Sequence, residues 1–353
     1  MSEAGVELEV CARTDLGRTR DHNEDTFLVA DLTRGTTDFL QDGRARVGPR
    51  GSLFLVADGM GGAAAGEIAS AMAAEAIFDH LRKSWTTTGS DSSDEFTLRI
   101  REAVETANDR IHRYALEHPD SRGMGTTATV AGVFGNRLHL AQVGDSRAYL
   151  VRNGTAVQLT KDQSLMQRLI DAGELTEEQA AQSERRNIIL QALGPDARIR
   201  VDVTFQDVTL GDTLILCSDG LSGQIKRDEI GALVNELGDV ERICERLIAI
   251  ANERGGPDNI TAVVVRFGGD LPEAAAHHQF GYQPYPLPEP EPSGERPAVA
   301  APPAPPELAE PDPVPAEAEI DPPPTRRSGS PVAVAAVGVL LLLVLLAIFL
   351  FFA

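Results

Sequence analysis

Basic residues are scarce in this chain: 32 Lys and Arg stand against 53 Asp and Glu in 353 residues, a formal charge of −21. A nucleic-acid backbone needs a basic surface, so the deficit excludes nucleic acid as the main partner. Cysteine is nearly absent. Cys11, Cys217 and Cys244 are odd in number, carry no CxxC spacing and sit among apolar neighbours. They read as buried free thiols in a reducing compartment. The seven histidines, His22, His80, His112, His118, His139, His277 and His278, show no metal-ligand spacing, so no zinc set is expected. The start, MSEAGVELEV, has neither a basic cluster nor an apolar run, which argues against a secretory signal and for a body that stays in the cytoplasm. Gly59 to Gly66 lacks the Gly-Lys-Ser/Thr ending of a phosphate-binding loop, and the alternating acids of an EF-hand are missing too.

Proline is rare in most of the chain and then abundant. Of 22 prolines, only Pro49, Pro119, Pro195 and Pro257 precede residue 269. That distribution predicts a globular body over 1–268, a linker over 269–330 and an apolar end over 331–353. The linker holds eleven acidic side chains and three arginines. Such a stretch cannot bury enough apolar surface to offset its ordering entropy, so it is expected to be a disordered tether, about 190 Å long as polyproline II or about 45 Å as a flexible coil. Docking of the Pro302 to Pro306 run on an aromatic-lined module is the lesser reading. From Val332 to Phe352 no side chain is charged or strongly polar. At about 1.5 Å per residue this run spans roughly 31 Å, one bilayer core, and predicts a transmembrane helix. Arg326 and Arg327 precede it, so the expectation is a single-pass protein of the cell membrane whose body faces the cytoplasm. A lipid-anchor signal has a similar shape around Ser328-Gly329-Ser330, but it would need the missing secretory signal.

Within the body, Phe96, Ile100, Ala103, Val104, Ala107, Ile111 and Tyr114 recur at helical spacing, as do Val240, Ile243, Cys244, Leu247, Ile250 and Ala251. A third helix is expected over Ile68 to Leu81. Runs rich in Val, Leu and Ile predict strands at 6–12, 26–30, 52–57, 126–134, 137–143, 147–151, 199–205, 212–217 and 260–267. Tight turns at Phe134-Gly135-Asn136 and Arg152-Asn153-Gly154 suit antiparallel hairpins. The class is α+β, with mainly antiparallel sheet and helices packed on it.

Two distant stretches read almost alike: Leu53-Phe54-Leu55-Val56-Ala57-Asp58-Gly59 and Leu214-Ile215-Leu216-Cys217-Ser218-Asp219-Gly220. Each is an apolar strand that ends in a carboxylate and a glycine. Asp145 in Gly144-Asp145-Ser146 repeats the pattern, Asp258 opens a strand, and Glu24-Asp25 precede another. A single Asp-Gly is as well explained by a turn. Five acidic positions at strand ends are not, because a carboxylate beside an apolar strand is costly unless something positive receives it. Converging oxygen ligands suit hard divalent cations, Mg²⁺ or Mn²⁺.

The residues Arg20-Asp21-His22-Asn23-Glu24-Asp25, Ala57-Asp58-Gly59-Met60-Gly61-Gly62, Gly125-Thr126-Thr127, Gly144-Asp145-Ser146-Arg147, Leu159-Thr160-Lys161-Asp162, Ser218-Asp219-Gly220-Leu221 and Gly256-Pro257-Asp258-Asn259 resemble, in order, the motif set of metal-dependent PP2C-type (PPM) serine/threonine protein phosphatases, most of all the bacterial branch. The resemblance covers about 6–267. It implies a central β-sandwich flanked by helices and a binuclear Mn²⁺/Mg²⁺ centre. By that resemblance Asp58 bridges both ions, Asp219 and Asp258 complete one site, and Glu24 with the Gly59 carbonyl completes the other. Asp145 with Asp219 resembles a third, weaker site, and Arg20 clamps the phosphate. The implied chemistry is in-line attack by a metal-activated water, with no phosphoenzyme.

Departures from the family pattern fall on proton delivery and substrate choice. Met60 stands where eukaryotic relatives carry a histidine proposed as general acid. Gln163 replaces a frequent histidine, and Ser183-Glu184 replaces a frequent His-Pro in the flap, roughly 163–192. Arg185 and Arg186 in that flap read as a solvated pair before they read as phosphopeptide contacts. The implied partners are phosphorylated proteins, with serine/threonine kinases and their substrates foremost. Two rival readings are a catalytically dead phosphoprotein scaffold, disfavoured by the complete carboxylate set, and a phosphatase of small phosphate esters.

Overall fold

Alternation of apolar side chains builds two sheets that share a core. In β1 (Val6–Asp15), Val6, Leu8, Val10 and Ala12 turn inward, while Cys11 faces the helices on the other side. Strands β4 (Ser52–Met60) and β12 (Ile260–Gly269) are apolar on both faces, because both faces are covered. The computed structural model describes residues 5–37, 43–61, 65–275 and 280–287. The expected tether beyond 287 and the expected span at 332–352 lie outside the described residues. No helix among the described residues is long and apolar enough to cross a membrane.

The remaining strands are β2 (Asp25–Asp31), β3 (Arg44–Arg46), β5 (Gly125–Thr126), β6 (Ala128–Phe134), β7 (Arg137–Val143), β8 (Arg147–Arg152), β9 (Thr155–Gln158), β10 (Asp202–Asp207) and β11 (Thr213–Cys217). One sheet runs β3-β1-β12-β11-β8-β9; the other runs β10-β7-β6-β4-β2, with β5 paired to β4. Every strand pairing is antiparallel. The inner faces meet through Phe54, Val56, Leu140, Leu150, Leu214 and Val265. Helices α1 (Ala65–Ser84) and α2 (Ser93–Glu117) cover the second sheet, and α6 (Arg227–Leu237) and α7 (Val240–Glu253) cover the first. Three short helices complete the set: α3 (Leu165–Asp171) and α4 (Glu177–Ala181) in the flap, and α5 (Asp219–Ser222) after β11.

The expected helical stripes are the buried ones: Phe96, Ile100, Val104, Ala107 and Ile111 in α2, and Ile243, Cys244, Leu247 and Ala251 in α7. Ser92 caps α2 by accepting from the Asp94 and Glu95 amides, and Asp239 caps α7 through Arg242 N–H. The single tryptophan, Trp85, is fully buried; it packs on Phe96 and Phe134 and donates to the Arg50 carbonyl at 2.9 Å. All three cysteines are buried and free, as expected. Predicted strands match within a few residues, except that β10 starts at 202 instead of 199; β3 and β9 were not expected.

The described chain stays packed on the fold past the expected domain limit at 268. The folded unit continues past it, since 280–287 lies antiparallel along β10. Phe205 N–H donates to the Gln283 carbonyl at 3.0 Å, and Tyr285 N–H donates to the Val203 carbonyl at 2.8 Å. Because 283 and 285 face the sheet, Pro284 and Pro286 fall where an N–H would point away, the one strand position proline tolerates. Proline content therefore hid a strand-like segment anchored by Phe280, Tyr282 and Tyr285.

At the far edge, Arg152 and Asp212 form an ion pair with side chains only 4% and 1% exposed. Two hydrogen bonds of 2.9 and 2.6 Å join them, and Arg152 also donates to the Asp207 carbonyl. Arg152→Met strands a buried carboxylate and should cost about 3–5 kcal/mol in denaturant unfolding. A loss below about 1 kcal/mol would mean that the pair is not desolvated as described.

Candidate active site

Five acidic positions meet at one end of the sandwich because the strands that carry them end there. Asp25 in β2 stands opposite Asp58 in β4, and Gly59 stands opposite Thr126 in β5. Asp219 opens α5 directly after β11, and Asp258 immediately precedes β12. Asp145 sits in the β7–β8 turn.

Neutral side chains pin these ends. Asp25 Oδ2 accepts from Ser218 Oγ at 2.7 Å and from Thr261 Oγ1 at 2.6 Å, tying β2 to β11 and β12. Thr127 donates its amide to the Asp58 carbonyl, and its Oγ1 accepts Asp58 N–H, each at 2.9 Å. The same hydroxyl lies 2.7 Å from Ser146 Oγ, next to Asp145. Asn259 Oδ1 accepts Glu24 N–H, and its Nδ2 donates to the Leu16 and His22 carbonyls, which sets the loop that carries Arg20.

Close packing accounts for two glycines. A Cβ on Gly59 would come within 2.2 Å of the Gly66 carbonyl oxygen and 2.6 Å of the Glu24 carbonyl oxygen. A Cβ on Gly66 would meet the Glu24 carboxyl at 2.7 Å, so that carboxyl lies directly against the first turn of α1.

Burial is the main reason these acids resist ionisation. It pushes Asp58 well above the ordinary carboxylate range, with Asp25, Asp219, Asp145 and Asp258 adding repulsion. Burial likewise lifts Asp25 and Asp145 to about 7, each helped by Asp219. Asp219 is raised by burial and then by Asp258. Glu24 is raised by burial and partly relieved by Arg20. Arg20 is half exposed at the rim, where it donates to Asp258 Oδ2 at 2.8 Å, and that bond raises its own pKa. Arg147 is held away by Asp162 through bonds of 2.6 and 3.0 Å.

The donor set fits a hard divalent cation. It consists of oxygen alone, and Asp25 Oδ1 and Asp145 Oδ1 are buried without a hydrogen-bond partner. Among the described residues no three His, Cys, Asp or Glu side chains close tightly on one point, and Asp258 is turned toward Arg20. The site is an open acidic cluster whose charge, more than a rigid cage, would draw the ion.

The structure thus brings together Glu24, Asp58, Gly59, Asp219 and Asp258, with Asp145 joined through Thr127 and Ser146 and Arg20 at the rim. Arg185 and Arg186 are exposed in the flap. Sequence reasoning counted Asp25 only with Glu24 as one acidic strand-end position and assigned no role to Thr127, Ser218, Thr261 or Asn259. A polar residue beside each strand-end acid was the available signal, but the register that makes them meet is a tertiary fact.

An α+β sandwich with an oxygen-only acidic cluster and a rim arginine suits a metal-dependent phosphatase. A family model of protein phosphatase 2C matches residues 34–264. The serine/threonine phosphatase stp of Listeria welshimeri is 36% identical over 253 residues, which is 72% of this chain and 93% of that protein. The serine/threonine protein phosphatase PstP of Mycobacterium tuberculosis is 35% identical over 264 residues, 75% of this chain but 46% of that protein. The solved catalytic domain of PstP in complex with two manganese ions superposes with a TM-score of 0.61 at 34% identity, covering 74% of this chain and 99% of that one. The chain belongs to the protein phosphatase 2C family and is a metal-dependent serine/threonine phosphatase, a class that uses Mn²⁺ or Mg²⁺.

An acid near 3.8 when unfolded and about 7 when folded binds more protons in the folded state across that interval. Asp145's contribution to the stability of the metal-free protein should therefore fall as pH rises from about 4 to 7. Asp145→Asn should flatten that decline in thermal melts with chelator, and millimolar Mn²⁺ should offset it in the wild type. An equal slope in the variant and the wild type would contradict the assignment of a raised pKa to Asp145.

Proposed function

We propose that this chain is a membrane-tethered phosphatase that removes phosphate from phosphoserine and phosphothreonine in proteins, opposing serine/threonine kinases at the cytoplasmic face of the cell membrane. One observation carries the reading: six buried or half-buried carboxylates share a strand-end cluster in which Arg20 pairs with Asp258 alone. Asp58 would be the shared ligand of two ions, with Asp219 and Asp258 holding one and Glu24, directly or through water, and the Gly59 carbonyl holding the other. Asp145 with Asp219 forms a third, weaker site. Bound divalent ions supply Lewis acidity and a nucleophile at neutral pH.

The protein's own residues bind and orient. Arg20, parked on Asp258, offers a planar fork to the phosphate oxygens and exchanges one anionic partner for another. Met60 is half-buried at the end of β4 and has no proton to give, so this side chain does not protonate the leaving alkoxide. No cysteine is exposed to attack phosphate, which suits direct hydrolysis. The apolar run at 332–352 and the arginines before it support the tether and its orientation.

Phosphopeptide turnover by the full chain should vanish with chelator and return with Mn²⁺. Asp58→Asn and Asp219→Asn should each lower kcat by at least about 100-fold, and Arg20→Ala should chiefly raise KM, about tenfold. Asp145→Ala should keep the tighter ions in calorimetric titration, lose the weakest event and turn over well below wild type. Near wild-type kcat in either Asp→Asn variant would refute the ligand assignment. Cells that make the chain with a stop codon at position 331 should carry it in the soluble fraction with phosphopeptide activity intact. Continued membrane retention would refute the anchor.

A further inference from the structure

Residues 280–287 lie beyond the 34–264 span matched by the family and run along the strand that leads out of the flap. We propose that this segment is a positioning strap: it completes the open edge of β10, holds the root of the 163–192 flap, and so sets how tightly a phosphoprotein is engaged. The proposal rests on the phosphatase reading above.

An edge strand with free N–H and C=O groups is prone to fray. The strap covers β10 with two backbone hydrogen bonds and three aromatic anchors. Phe280 lies 4.7 Å over the Arg152 guanidinium, on the buried pair with Asp212. Tyr282 donates to Asp202 at 3.0 Å. Tyr285 packs edge-on against Phe205 and near His139, and its hydroxyl donates to Asp94 in the first turn of α2. Anchors of this kind fix a segment in one register.

Asp202 stands two residues from Arg200, where the flap returns to the sheet. Arg200 N–H donates to Gln191 Oε1 at 2.8 Å, and Gln191 Nε2 donates to the Arg200 carbonyl at 2.7 Å and to Gln163 Oε1 at 2.8 Å. Gln163 Oε1 also accepts Gly144 N–H, while Gln163 N–H donates to the Gly144 carbonyl and the Gln163 carbonyl accepts Leu190 N–H. The strap thus bonds Asp202, two residues along the chain from Arg200, and from Arg200 hydrogen bonds run through Gln191 and Gln163 to both ends of the flap and on to the turn that carries Asp145. Releasing the strap frees Val203 and Phe205 and loosens the flap root, while the strand-end clamps around Asp58 stay in place.

The test uses the full chain with Mn²⁺ and compares wild type, Tyr285→Pro, Tyr285→Phe and Tyr282→Phe. Hydrogen exchange is read over 163–192 and 200–207, and kinetics are measured on a phosphothreonine peptide and on p-nitrophenyl phosphate. Tyr285→Pro, which loses the amide and the ring, should speed flap exchange about tenfold or more. It should also raise peptide KM about three- to tenfold while kcat on the small ester stays within about twofold. Tyr285→Phe should match wild type. Faster exchange at 203–205 with flap exchange and peptide KM unchanged overturns the proposal. Should Tyr285→Pro fail to fold, Tyr282→Phe decides: a smaller shift of the same sign in both readouts supports the strap, and no shift overturns it. A wild type that hydrolyses neither substrate would sink the phosphatase reading instead, with the exchange comparison still deciding the strap.

Discussion

Mutual repulsion among carboxylates at the ends of β2, β4, β11 and β12 is the constraint around which the rest of the molecule is arranged. Asp58 is opposed by four neighbouring acids and has lost much of its water. Left alone, such a group would splay the strand ends apart. Hydroxyl and amide side chains prevent this: Ser218 and Thr261 on Asp25, Thr127 on the Asp58 backbone, and Asn259 on the Arg20 loop. These groups hold the acids in position without cancelling their charge, which is what a cation site requires.

The sandwich explains how that strain is tolerated. Two faces of apolar side chains, two helical layers and the buried Arg152–Asp212 pair stabilise the domain away from the cluster. Antiparallel strands deliver their ends to one rim, so rigidity sits beneath the ligands. The flap with α3 and α4 and the loop carrying Arg20 are largely exposed. Gln163 and Gln191 bind the flap both to the sheet and to the Asp145 turn, and both side chains are uncharged.

Legibility in the sequence followed the range of the interaction. Local periodicity placed α2 and α7, and the Val- and Ile-rich runs placed nearly every long strand, because burial on one or two faces writes itself into spacing. The strand-end acids were visible for the same reason: Asp58 and Asp219 each terminate an unbroken apolar run. Three-residue β3 and four-residue β9 are too short to show a period. Asp25 was visible beside Glu24 as a strand-end acid, but its place opposite Asp58 was not, because register cannot be read from either strand alone. The docking of 280–287 was masked by composition, since prolines at alternate positions look like a coil signal while leaving the sheet-facing donors intact.

Mn²⁺-edge anomalous diffraction from crystals of the chain grown with manganese is the most direct test of the central claim. Two strong peaks are expected about 3.5–4 Å apart at the strand-end cluster. Asp58 should contact both ions, and Asp258 should be turned away from Arg20 toward one of them. A single peak, or a pair whose shared ligand is not Asp58, would contradict it.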